Sequence, residues 1–167
     1  MPNLLTILQN TPAWVFVLFA ILLALGLIGL RTRTVKVWRL LVAPAVFIAW
    51  GVYGLALRMD ASALLPVYWT AALAIASLGA WYGTNLDSMQ PDPAQRRVRV
   101  EGSVFPLVRN MALFFAKYAI GIAIGFGLSD PQTLYPFDVA VSGVSAGYFI
   151  GWLLRFAQRY RKGAIPA

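Results

Sequence analysis

Five apolar runs, each close to the length a helix needs to cross a bilayer, divide this chain. They occupy residues 12–30, 37–57, 63–83, 106–128 and 136–155, and about 20 consecutive apolar helical residues span a hydrocarbon core. Helix-start chemistry marks several of them. Thr11 with Pro12, and Ser62 ahead of the third run, suit N-cap and first-turn positions. Pro136 with Asp138 sets a fixed φ and a negative charge at the start of the fifth run. Pro44, inside the second run, predicts a kink or a close helix contact. The pattern predicts an all-α, polytopic membrane protein: one domain over residues 1–167, with five transmembrane helices and a cytoplasmic loop over 84–105.

Two polar segments qualify this picture. In the third connection Arg97, Val98, Arg99 and Val100 alternate as a strand does, and residues 34–37 alternate weakly. A short β pairing between them and an irregular loop on phosphate headgroups are both open readings. Ahead of the first run, Leu4, Leu5 and Leu8 predict a short interfacial turn or an earlier helix start. With no basic residue before the apolar ones, this segment does not read as a cleavable signal peptide.

Composition agrees with lipid as the solvent. Hydrophobic residues make up 60% of the 167 and charged residues 12%, with a mean hydropathy of +0.70. A soluble domain of this size has too little interior for so many apolar side chains.

The basic residues then set an orientation. Arg31, Arg33, Lys36 and Arg39 lie between or beside runs one and two. Arg96, Arg97, Arg99 and Arg109 lie between or beside runs three and four, and Arg155, Arg159, Arg161 and Lys162 end or follow run five. With five alternating helices these twelve fall on one side, Arg58 alone falls on the other, and Lys117 lies within the membrane. The positive-inside rule predicts an outside N-terminus and a cytoplasmic C-terminus, as in a multi-pass protein of a bacterial inner membrane. Trp14, Trp50 and Trp69 suit the outer aromatic belt, and Trp38 and Trp81 the inner one. Arg96, Arg97, Arg99 and Arg109 are the expected contacts to anionic headgroups on the cytoplasmic side.

Lys117 is the residue that most needs explaining. Ten residues separate it from the start of the fourth run and eleven carry the run to its end. A lysine at bilayer depth costs roughly 2.5–3.5 kcal/mol on insertion scales and is a functional-site hypothesis by default. Gly121 and Gly125 follow at intervals of four and share its helix face, so the ammonium is expected to point into the bundle. Its expected partners are tyrosine or serine hydroxyls, freed carbonyls or water, with Asn85 more distant. Tyr118, beside it, completes a candidate intramembrane binding site. Gly121 and Gly125, and Gly143, Gly147 and Gly151 in the fifth run, have the small-xxx-small spacing of helix contacts. The fifth run is expected against the fourth, with small residues of the third (Ser77, Ala80) or second (Gly51, Gly54) nearby.

Chemistry is bounded by what is missing. The chain has neither cysteine nor histidine, which excludes the usual zinc, copper and iron–sulfur ligand sets and histidine- or cysteine-based catalysis. No catalytic residue, cofactor or metal is predicted. Nucleic acid is not an expected partner, because the membrane already accounts for the basic charge.

Gly102-Ser103, Pro106-Leu107, Lys117-Tyr118 and Gly121, with Arg31-x-Arg33, Arg39-Leu40 and Pro44, resemble the pattern of an uncharacterised family of small bacterial inner-membrane proteins. The resemblance implies a five-helix membrane fold and singles out Lys117 and Tyr118 without assigning them a role. Two functions stand close together. One is a non-catalytic accessory, assembly or lipid-binding module, partnered by membrane lipids, a second copy or another membrane protein. The other is a small anion- or proton-linked transporter using Lys117. An intramembrane enzyme has the thinnest support, since Lys117 and Tyr118 alone do not make a catalytic site.

Overall fold

The computed structural model describes residues 3–84, 86, 89–92 and 97–163. Among them are six α-helices and three short strands: α1 (Leu4–Asn10), α2 (Ala13–Ile28), β1 (Arg33–Lys36), α3 (Val37–Ala56), α4 (Leu65–Gly83), β2 (Met89–Asp92), β3 (Arg97–Val100), α5 (Phe105–Gly125) and α6 (Pro131–Gly163). Each of the five apolar runs holds one helix, and the protein is mostly helical. Three helical segments are long and apolar enough to cross a membrane: Val37–Ala61, Phe105–Gly125 and Pro131–Arg161. The pair α1 and α2 meets the same test jointly, although the two are bent by 98°. The 19 residues of α4 have the length, but two tryptophans and two tyrosines dilute its apolar character.

The chain forms two compact units, Met1–Arg31 with Gly102–Leu134, and Thr32–Glu101 with Tyr135–Ala167. In the first, α2 packs along α5. Gly26 allows the approach, since a Cβ there would stand 2.8 Å from Leu107 Cα. The Phe19 ring meets Phe114 at 5.2 Å and Phe115 at 6.2 Å. Asn110, buried in α5, donates from Nδ2 to Leu22 O at 3.4 Å. Asn3 caps α1, its Oδ1 accepting from Thr6 N at 2.8 Å. Past the elbow at Thr11–Pro12, α1 leaves Leu4 and Leu5 exposed.

In the second unit α6 is the central helix. Phe149 stacks on Phe47 of α3 at 5.0 Å. Gly143, Gly147 and Gly151 face α4, where a Cβ on each would fall against the carbonyl oxygens of Trp69, Leu73 and Ser77 respectively. Such backbone contact is what a four-residue repeat of glycine permits. Further along, Trp152 and Phe156 stack at 5.3 Å and form a core with Leu86 and Val98. Val98 belongs to an antiparallel sheet of order β1-β3-β2.

The structure revises several expectations. The sheet adds a β element to an all-helical reading: residues 34–37 and 97–100 contain partners that do pair, Thr34 opposite Arg99 and Val35 opposite Val98. A third strand, β2, carries Pro91 and sits at the edge, where a missing N–H is tolerated. The last helix begins at Pro131, not Pro136, and Pro136 lies inside it. Pro131 itself takes the first helical position, where its missing N–H costs nothing. Pro44 is fully buried within a continuous α3.

Candidate functional site

The site is built by the break in the first apolar run. Thr11 lies between α1 and α2, and its hydroxyl stands 2.7 Å from Ile7 O and 2.8 Å from the Tyr118 hydroxyl. A carbonyl only accepts, so the single Thr11 proton goes to Ile7 O, and Tyr118 donates to Thr11 Oγ1. This bond ties the elbow to the fourteenth residue of α5. Since α2 runs beside α5 between Leu107 and Tyr118, it stops short of the end of α5. Seven further residues, 119–125, continue past the elbow, about 10 Å of helix at 1.5 Å per residue.

That mismatch leaves a groove of about 430 Å³ within the first unit. Its elbow side is formed by Asn10, Thr11 and Trp14, and its α5 side by Lys117, Tyr118, Gly121 and Gly125, continuing to Phe126. Lys117 and Tyr118, the predicted pair, are therefore brought to one place, both half-buried. Gly121 and Gly125 both line this groove. Among the described residues nothing lies within 4 Å of a Cβ on either, so their missing side chains widen the groove above Lys117.

The polar groups differ in what they can offer. Tyr118 has spent its proton on Thr11, and one Asn10 Nδ2 proton goes to Thr6 O at 2.8 Å. Lys117 brings three N–H donors and a charge, more than a single protein partner consumes. The groove can therefore take an acceptor-rich, negatively charged group, with apolar wall beside it for a hydrocarbon portion.

The other predicted residues lie elsewhere. Arg97 and Arg99 are exposed on β3, while Arg109 belongs to the first unit, on α5, and donates to Asn110 Oδ1 at 3.1 Å. Arg96 and Asn85 lie outside the described residues. Three features escaped sequence reasoning. Thr11 and Asn10 read only as a helix start. Arg58 and Asp138 form an ion pair at 2.9 Å, and the signal available was that they are the lone cation and an acid assigned to the same side. Arg155 of α6 donates to the carbonyls of Trp81 and, at 3.3 Å, Tyr82, at the C-terminal end of α4. A cation there also meets the negative end of the helix dipole.

The fold is thus that of a mostly helical protein with, among the described residues, three helices long and apolar enough to cross a membrane. Residues 1–164 match the model of a family described as a family of unknown function (DUF6622), and the chain belongs to that family. No curated protein and no solved structure matches it.

Proposed function

We propose that this chain is a non-catalytic membrane module that holds an anionic lipid, or another anionic amphiphile, with Lys117 as the charge that receives it. In this reading it crosses a bacterial inner membrane five times, α1 and α2 together forming the first crossing and α4 the third. Its N-terminus is outside and its C-terminus cytoplasmic. The observation that carries the reading is the groove: a lysine midway along α5 lies beside the elbow where α2 starts, and two glycines keep the path to the end of α5 open. A headgroup oxygen reaching down about 10 Å meets the ammonium, and its acyl chain lies on the apolar walls. Charge pairing then offsets the cost of placing Lys117 at depth. Arg109 adds a contact to anionic headgroups near the start of α5. A second copy or another membrane protein is the protein partner this reading expects.

The test is co-purified lipid measured by native mass spectrometry from detergent-solubilised protein. Lys117→Met should fold with unchanged or higher thermal stability and retain anionic lipid about 10- to 100-fold less well, the scale of a lost charged hydrogen bond. Lys117→Arg should retain part of it. Equal lipid retention by Lys117→Met and the parent would refute the reading.

One observation favours transport as the second reading. Interrupted spans commonly line transporter sites, and α1 with α2 is an interrupted pair. Proton or anion flux in proteoliposomes, abolished by Lys117→Met, would select it.

A further inference from the structure

The register of the small sheet gathers charge on one side. Directly opposed residues in an antiparallel pair project to the same face, and the rows are Lys36–Arg97–Asp92 and Thr34–Arg99–Gln90. Lys36, Thr34, Arg97, Arg99 and Gln90 are exposed and Asp92 half-buried. The alternate residues form the opposite face: Val98, Val100 and Met89 pack with Trp152, Phe156 and Tyr160 of α6, and Arg33 and Val35 of β1 stand opposite Val100 and Val98 there. The outer face therefore carries three cations and one carboxylate. Lys36 and Arg97 are directly opposed, an arrangement that is destabilising by itself. Asp92 stands opposite Arg97 on the other flank, which leaves Lys36 and Arg99 in excess.

The chain also fixes where this face lies. Lys36 ends β1 and the next residue, Val37, begins α3, the first residue of a segment long and apolar enough to cross a membrane. The charged rows thus adjoin the end of a candidate span with no linker between.

We infer that the face formed by Thr34, Lys36, Arg97 and Arg99 is a docking platform for anionic phospholipid headgroups at the bilayer surface. Opposed residues there are about 5 Å apart, and neighbours along one strand about 7 Å. A phosphate oxygen between Lys36 and Arg97 relieves their repulsion, Arg99 supplies a forked pair of donors, and the Thr34 hydroxyl adds another. The position beside a span favours bilayer lipid over a soluble acidic protein. This platform is independent of the Lys117 groove, lies in the other unit, and stands or falls separately.

The experiment compares thermal unfolding of the full chain in nanodiscs of phosphatidylcholine alone and with phosphatidylglycerol added, for the parent and for Lys36→Gln/Arg97→Gln/Arg99→Gln. For the parent the anionic lipid should raise the midpoint by roughly 2–4 °C, the response of a domain this size to about 1 kcal/mol. In phosphatidylcholine alone the triple variant should be as stable as the parent or more so, because the repulsion is gone, and its response to phosphatidylglycerol should fall below the parent's. The comparison is repeated on a Lys117→Met background, which removes lipid held in the groove: whatever response Lys117→Met alone retains, adding the three Gln substitutions should abolish it. An equal response in parent and triple variant overturns the inference, as does a parent response reproduced by inorganic phosphate in phosphatidylcholine discs. A triple variant that loses stability in phosphatidylcholine alone also overturns it, since the cations would then serve the fold. Loss of binding to a soluble acidic protein, with the lipid response unchanged, would assign the face to that partner instead.

Discussion

Arg58 and Asp138 show how one buried charge decides the fate of another. The Asp138 side chain is 6% exposed and that of Arg58 28%. Arg58 also donates to Gly54 O at 3.1 Å and lies 5.6 Å from the Tyr135 ring centroid, so its guanidinium is held from several directions. Removing one member of such a pair leaves the other without its counter-charge, which costs roughly 3–5 kcal/mol for a fully buried pair. Asp138→Leu or Arg58→Met should each destabilise by the lower end of that range, because Arg58 keeps some access to solvent or headgroups. The double variant should recover most of the loss, since apolar replacement of both members is close to neutral. Unfolding of the four proteins in detergent measures the cycle, and additive losses would deny the coupling. The pair was half legible in the sequence. Both residues could be assigned to one side, yet Asp138 read as a helix-start charge because Ser129, Asp130, Gln132 and Thr133 are polar and hide the true start at Pro131. Lys117 was legible for the opposite reason, being a charge in an apolar run. Its surroundings were not, since the elbow that shares its groove depends on the first apolar run breaking at Thr11–Pro12.

Helix elements differ in what their glycines do, and spacing alone does not separate the cases. Both α5 and α6 carry glycine at intervals of four. On α6 a Cβ would strike the backbone of α4; on α5 it meets open space. Gly147→Leu should therefore destabilise by about 1–3 kcal/mol or more, because an inserted side chain forces α4 away. Gly121→Leu should unfold at the parent temperature and yet retain less lipid, because it fills the groove beside Lys117. Thermal stability and lipid retention for these two variants give opposite patterns, and a stable Gly147→Leu would deny the close contact. The sheet makes the same point for strands. The alternation in β3 marked it as strand-like, but β2 contains Pro91 and no alternation a sequence scan would accept. It forms because β3 offers a second free edge and the residues of β2 need only pair at a border. Two strands alone would be marginal; a third strand and the apolar face on Trp152 and Phe156 supply what they lack.

At the scale of the molecule, the second unit has two ends of different chemistry. One holds the sheet, with Arg33, Lys36, Arg97 and Arg99, against the last part of α6, where Arg155 also lies. The other holds Arg58 with Asp138. They are separated by the length of α3, 20 residues or about 30 Å, which matches a hydrocarbon core. The register makes an argument that counting alternate loops does not. Basic segments from the first and third connections meet as paired strands, so they share a side whatever number of crossings lies between them. The positive-inside rule then expects the sheet end in the cytoplasm and the Arg58–Asp138 end outside. A fluorescent reporter that matures only in the cytoplasm, fused to the C-terminus, should be bright. A phosphatase active only in the periplasm, inserted at Ser62 beyond the short turn at Met59–Ala61, should be active there and silent when fused at the C-terminus. A bright reporter at Ser62 with an active phosphatase at the C-terminus would invert the orientation. It would also turn the charged face of the sheet toward the outer surface and reassign the lipids that both proposed sites receive.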